Sequence, residues 1–238
     1  MKIKQIFTLS AVLLTTLCAS AQQYPSINPT AVFTNAEGQE ETGTIYSGSA
    51  PLTARFYAYA ENVGTYNATY EWHFTLEGEK EPYLVRYEED TNYTFTKAGT
   101  HIVELYATFI QGTDTIRYTE EYWLENVPIK VTISESILEM PNAFSPNGDQ
   151  WNEVYKAKKY QSLTEFHAYI FNRWGQKLYE WHDPTGGWDG KFNGKDVKQG
   201  VYFVLVKAKG ADGREYNIRR DVNLLRGFTE TENSSSDQ

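Results

Sequence analysis

Thiols are all but missing from this chain. Of its 238 residues one is cysteine, Cys18, and it directly follows an apolar run from Ile6 to Leu17. Lys2 and Lys4 stand before that run and Ala19-Ser20-Ala21 after it, the basic start, apolar middle and small-residue end of a cleaved signal peptide. Cleavage is expected between Ala21 and Gln22. With residues 1–21 removed no thiol remains, which excludes a disulfide scaffold and a cysteine nucleophile and suits an oxidising compartment. Long apolar runs are scarce too: no later segment approaches the ~20 residues of a membrane-spanning helix. Signatures of catalysis are missing as well. The four histidines, His73, His101, His167 and His182, are scattered without a two-histidine metal spacing. Neither a Gly-x-Ser-x-Gly elbow nor a phosphate-binding glycine loop is present. The chain is expected to be non-enzymatic and to carry no cofactor.

Aromatic residues are abundant, at 15% with 18 tyrosines and 6 tryptophans, and together with frequent Thr and Val they favour strands over helices. Charge divides the chain. Residues 22–135 carry 17 acidic and 6 basic side chains, whereas residues 140–226 carry 10 acidic and 14 basic. The acidic half argues against nucleic acid as a partner. The basic half reads first as a solvated lysine-rich face.

Residues 22–48 are polar with little periodicity beyond Ala31-Val32-Phe33, and read as a lead-in with one edge strand. From Leu52 a period of two sets in. Leu52, Ala54, Phe56 and Ala58 alternate with polar or aromatic partners, as do Tyr70, Trp72 and Phe74, then Val103, Leu105, Ala107 and Phe109. Gly112-Thr113-Asp114 fits a hairpin turn, and Ile129 to Ile133 closes a domain of residues 49–135. Seven or so short strands imply a β-sandwich. Tyr70-Glu71-Trp72-His73-Phe74 and the later Phe95-Thr96-Lys97-Ala98-Gly99-Thr100-His101 resemble the PKD-type immunoglobulin-like module, which implies the same fold and no particular ligand.

Residues 136–139 read as a linker. Beyond them residues 140–226 form a second, smaller sandwich. A hairpin loop is expected at Arg173 to Gln176, and Val201, Phe203, Leu205 and the Lys207 stem share one face of a long strand. Val222, Leu224 and Ile218 point inward from the last strand. Residues 227–238 are polar and acidic and are expected to be a disordered tail. The fold class is all-β, with two immunoglobulin-like sandwiches in tandem after the signal peptide.

The second domain carries five blocks in order: Pro141-Asn142-Ala143-Phe144-Ser145-Pro146-Asn147-Gly148-Asp149, then Asn172-Arg173-Trp174-Gly175, Gly187-Trp188-Asp189-Gly190, Gly200-Val201-Tyr202 and Val222-Asn223-Leu224-Leu225-Arg226. Together they resemble the gliding-motility-associated C-terminal domain, the type B sorting signal of the type IX secretion system. That family tends to have glycine where Gln150 stands and aspartate where Glu153 stands. The resemblance implies passage through the inner membrane and then the outer membrane. Its partners would be the secretion channel and outer-membrane components, and its destination the cell surface or medium. It leaves three roles open: a structural or machinery-associated surface protein, a module binding polysaccharide or protein through the first domain, and a periplasmic scaffold. Ser145 to Asp149 reads as a turn. Asn147, Asp149, Asn152 and Glu153 offer oxygens suited to Ca2+, but their spacing departs from the EF-hand template and no metal is expected. Trp174 and Trp188 are expected to lie as lids on the core.

Overall fold

A computed structural model describes residues 23–35 and 38–227. The Ala21/Gln22 cleavage site and the tail from Phe228 onward lie outside the described residues. The chain has an all-β immunoglobulin-like fold. Its first body holds β1 (Thr30–Thr34), β2 (Glu40–Gly43), β3 (Ile45–Gly48), β4 (Leu52–Tyr57), β5 (Asn67–Leu76), β6 (Leu84–Arg86), β7 (Thr91–Phe95), β8 (Gly99–Gln111), β9 (Asp114–Tyr118) and β10 (Ile129–Ile133). One helical turn, α1 (Glu120–Trp123), precedes β10. The strands form two sheets, ordered β2-β1-β4-β7 and β3-β10-β8-β5-β6, with β9 also paired to β8.

Alternation along the strands builds the core between these sheets. Leu52, Ala54 and Phe56, Trp72 and Phe74, and Val103, Leu105 and Phe109 are all buried, each large side chain contributing roughly 1.5–3 kcal/mol. The segment read as a lead-in belongs to this body. β1 pairs with β4, β3 pairs in parallel with β10, and Ile27, Ala31 and Phe33 join the core. Apolar residues on the outward side, Val32 in β1 and Ile45 in β3, blur the period of these short strands. His101 is 1% exposed. Its Nε2 faces the Lys97 carbonyl at 2.9 Å and its Nδ1 the Tyr83 hydroxyl at 2.8 Å. Burial holds its pKa below the ordinary histidine value, against the opposing pull of the Lys97 carbonyl.

The second body holds β11 (Ile137–Glu139), β12 (Ala143–Phe144), β13 (Lys159–Gln161), β14 (Leu163–Phe171), β15 (Lys177–Trp181), β16 (Lys191–Phe192), β17 (Lys195–Asp196), β18 (Gly200–Gly210) and β19 (Glu215–Leu224). Five of them make one sheet, ordered β12-β19-β18-β14-β15. The facing layer is thin: the β11–β13 pair, the β16–β17 hairpin and loops that bring Tyr155 and Trp188 onto the sheet. In β18 the buried face is Val204, Val206 and Ala208. Val201, Phe203 and Leu205 do share a face, as expected, but it is the outer one. Val222 and Leu224 are buried and Ile218 packs partly against them.

The stretch read as a linker is a hydrogen-bonded seam. Ile137–Glu139 is itself β11, paired to β13. Ser136 is buried, donating its amide to Asp212 Oδ2 at 3.1 Å and its hydroxyl to Oδ1 at 2.8 Å. Burial works against the Asp212 carboxylate, but the Ser136 hydroxyl and the amides of Arg214 and Ser136 outweigh it and hold the group below the usual carboxylate range. Across the seam Ala50 donates its amide to Ser162 Oγ at 3.2 Å, Ser134 and Ser162 share a hydroxyl contact at 2.8 Å, and the Ala98 amide reaches the Ala211 carbonyl at 2.9 Å. Among the described residues no helix is long and apolar enough to cross a membrane.

Candidate functional site

The first block is a loop tied to itself. β12 runs parallel to β19, placing Phe144 beside Leu224 in the core. The chain then turns so that Ser145 donates its amide to the Asn152 carbonyl at 2.9 Å. Asp149 Oδ1 accepts the Trp151 amide at 2.9 Å, and Glu153 Oε1 accepts the Gly148 amide at 2.7 Å and the Gln150 amide at 3.3 Å. Asn147 Oδ1 accepts the Asp149 amide at 3.0 Å. Side-chain oxygens of Asn147, Asp149 and Glu153, three of the four residues offered for a cation, thus serve as acceptors for the loop's own backbone. Gln150 adopts a φ of +73°, a conformation that favours glycine.

The second block is a rigid turn with an exposed tip. Asn172 Oδ1 accepts the amides of Trp174 at 2.9 Å and Gln176 at 3.0 Å, and Gly175 takes a φ of +79°. Asparagine and glycine are needed here for these two reasons. Trp174 is not a core lid: it is 80% exposed, with the Arg173 guanidinium 5.0 Å from its ring centre. The hairpin turn points it away from the sheet. Sequence alone could not separate this tryptophan from Trp188, since both sit in glycine-flanked turns.

Trp188 is the lid expected. It is fully buried, bridges Tyr155 through paired backbone bonds of 2.8 and 3.0 Å, and donates its indole N–H to the Lys191 carbonyl at 2.7 Å. Gly187 allows that approach. A Cβ there would sit 2.5 Å from the Tyr155 carbonyl. Asp189 Oδ1 accepts the Lys191 amide at 3.1 Å and turns the chain toward Gly190. Phe144 and Tyr202 pack their rings against Trp188 at 5.4 and 5.1 Å. Tyr202 donates its hydroxyl to Lys198 at 2.6 Å, just before Gly200 and Val201 enter β18.

Arg226 closes the assembly. Its guanidinium donates to the carbonyls of Pro146 and Gly190, each at 2.9 Å, and of Val197 at 3.2 Å, and it lies 3.3 Å from Asp196 Oδ1. In the sequence this residue is only the end of the last block, with nothing to mark its role. Tyr155, whose hydroxyl donates to the Pro141 carbonyl at 3.0 Å, was missed as the ring that anchors the first block to the third. Four separate blocks therefore converge on one end of the sheet, and the remaining one, the Trp174 turn, projects from that end beside Gly200 and Val201.

Residues 138–219 match the CHU_C type IX secretion signal domain. This secretion signal domain supports export of the chain by the type IX system, to the cell surface or the extracellular space, and implies interaction with that machinery. No curated protein matches the chain. Among solved structures, dimeric latent PorU from Porphyromonas gingivalis aligns at 11% identity and a TM-score of 0.26, over 85% of this chain and 20% of that one. That superposition is too loose to bear on the fold, and the chain spans about a fifth of the PorU chain. The matched segment begins inside β11 and covers every block of the signal domain except the last, which holds Arg226.

Proposed function

We propose that this is a non-enzymatic surface or released protein whose second domain is its export address and whose first domain is the cargo, with a structural or machinery-associated role. The match of residues 138–219 to a type IX secretion signal carries this reading. The machinery reads a folded surface. Trp188, buried, serves the fold, whereas Trp174 and Arg173, presented on a turn pinned by Asn172, supply the contact. Exposed tryptophan and arginine on a rigid support are the side chains most often found at the energetic centre of interfaces.

A second reading treats the PKD-like first domain as a binding module for polysaccharide or protein. It is favoured by a cleft of about 720 Å3 at the seam, lined by Tyr46 of the first body and by Tyr160, Glu165 and Asp183 of the second. Tyrosine faces and carboxylates without a lysine or arginine suit a neutral, hydroxyl-rich ligand. Glycan array screening of the purified chain tests its polysaccharide form: saturable binding to one sugar class, lost in Tyr160→Ala, supports the module, and no binding removes the polysaccharide ligand. Export itself is tested by comparing the full chain with a version ending at Glu135, ahead of β11, for protease accessibility on intact cells.

A further inference from the structure

β18 is apolar on both of its faces, the pattern of a strand covered on two sides, yet only one side is covered. The outer face of the β15-β14-β18-β19 sheet carries Phe171, Val201, Phe203 and Leu205 at its centre, with Val201 50% and Phe203 45% exposed. The strand register arranges the surrounding charges in rows. One row across the four strands reads Glu180, Tyr169, Leu205, Arg219, and the next reads Lys177, Phe171, Phe203, Asp221.

Each row is the charge complement of its own reverse. We infer that this face binds a second copy of the chain, sheet against sheet, about a twofold axis parallel to the strands and midway between β14 and β18. That operation sets Glu180 against Arg219 of the other copy and Lys177 against its Asp221. It also sets Tyr169 against Leu205 and Phe171 against Phe203. Further along, Glu165 and Lys209 exchange places in the same way, while the row between them sets His167 against Lys207 and carries no ion pair. Although residues 140–226 are basic overall, the acidic and basic side chains of this face balance: Glu165, Glu180, Glu215 and Asp221 against Lys177, Lys207, Lys209 and Arg219. A net-neutral, self-reversing pattern selects an identical surface over a partner of either charge.

Two aligned sheets stack ~10 Å apart, which brings the long charged side chains of opposite copies into reach. Within one chain Lys177 lies 2.8 Å from Glu180, an exposed pair of small worth that can exchange partners. With strands ~4.8 Å apart and same-face residues ~6.8 Å apart, the face covers on the order of 500 Å2. This is below the ~800 Å2 per partner of a standard interface. The dimer is therefore weak and concentration-dependent.

Sedimentation equilibrium of the full chain over about a hundredfold concentration range, with circular dichroism to verify folding, reads the association. Phe203→Asp, Lys177→Glu and Asp221→Lys are each expected to weaken it tenfold or more. The decisive arm mixes the last two variants. Glu at 177 of one chain then meets Lys at 221 of the other while Lys177 and Asp221 pair as before, so dimers return in the mixture although neither variant dimerises alone. A parent chain that stays monomeric throughout overturns the inference. So does a dimer indifferent to these changes, or a mixture that remains monomeric.

Discussion

A guanidinium that reaches carbonyls on three separate loops braces them together, and its loss takes a donor from the Pro146 and Val197 carbonyls, while Gly190 keeps the Val197 amide at 3.0 Å. Arg226→Ala is expected to lower the unfolding free energy by about 2–4 kcal/mol in a denaturant titration. Arg226→Lys should recover only part, because a single ammonium cannot span the fork. His101 makes a prediction of a different kind. Its folded pKa is depressed by burial below the ordinary value of 6.5, so below that pH the unfolded chain binds the extra proton and the folded chain resists it. Stability is complete above about 6.5 and falls as pH drops toward the depressed value, by at most ~1.4 kcal/mol per pH unit. Unfolding curves between pH 7 and 5 should show this slope, and His101→Gln should flatten it.

Turns and strands differ in how much of them the sequence discloses. The Asn172–Gly175 turn was legible because asparagine and glycine are demanded by backbone geometry. So were β5 and β8, whose alternation is strict. β18 was half legible: a period of two separates its faces but cannot say which is covered, and both are apolar here. Of the two short strands ahead of β4, β1 showed in Ala31-Val32-Phe33, while β3 did not, because its four residues put Ile45 outward and Tyr46 inward and its partner β10 lies far along the chain. The Trp174 turn stands clear of the core, which sets the expectation for its removal. Trp174→Ala should shift stability by no more than about 0.5 kcal/mol while reducing the exported fraction, measured as the ratio of surface to cell-retained protein. Normal export of this variant would move the contact elsewhere on the domain.

The two bodies of the molecule meet through a seam of serine hydroxyls and backbone amides rather than through a free linker. Composition could not show this, since Ser134, Ser136 and Ser162 look like loop residues until their partners across the seam are placed. Ser162→Ala strips the buried Ala50 amide of its acceptor at a cost of about 1–3 kcal/mol. Calorimetry should then resolve two transitions where the parent chain shows one, and a single unchanged transition would mean that the seam contributes little to coupling.

The export reading rests on the second domain as a portable address, and one comparison addresses it directly. Intact cells producing either the full chain or residues 1–135 are treated with protease and labelled with antibody to the first domain, with a periplasmic marker as control. The full chain should be labelled and digested while the shortened chain is found only after the outer membrane is breached. Equal protection of both in the periplasm, or equal exposure of both at the surface, would contradict the account.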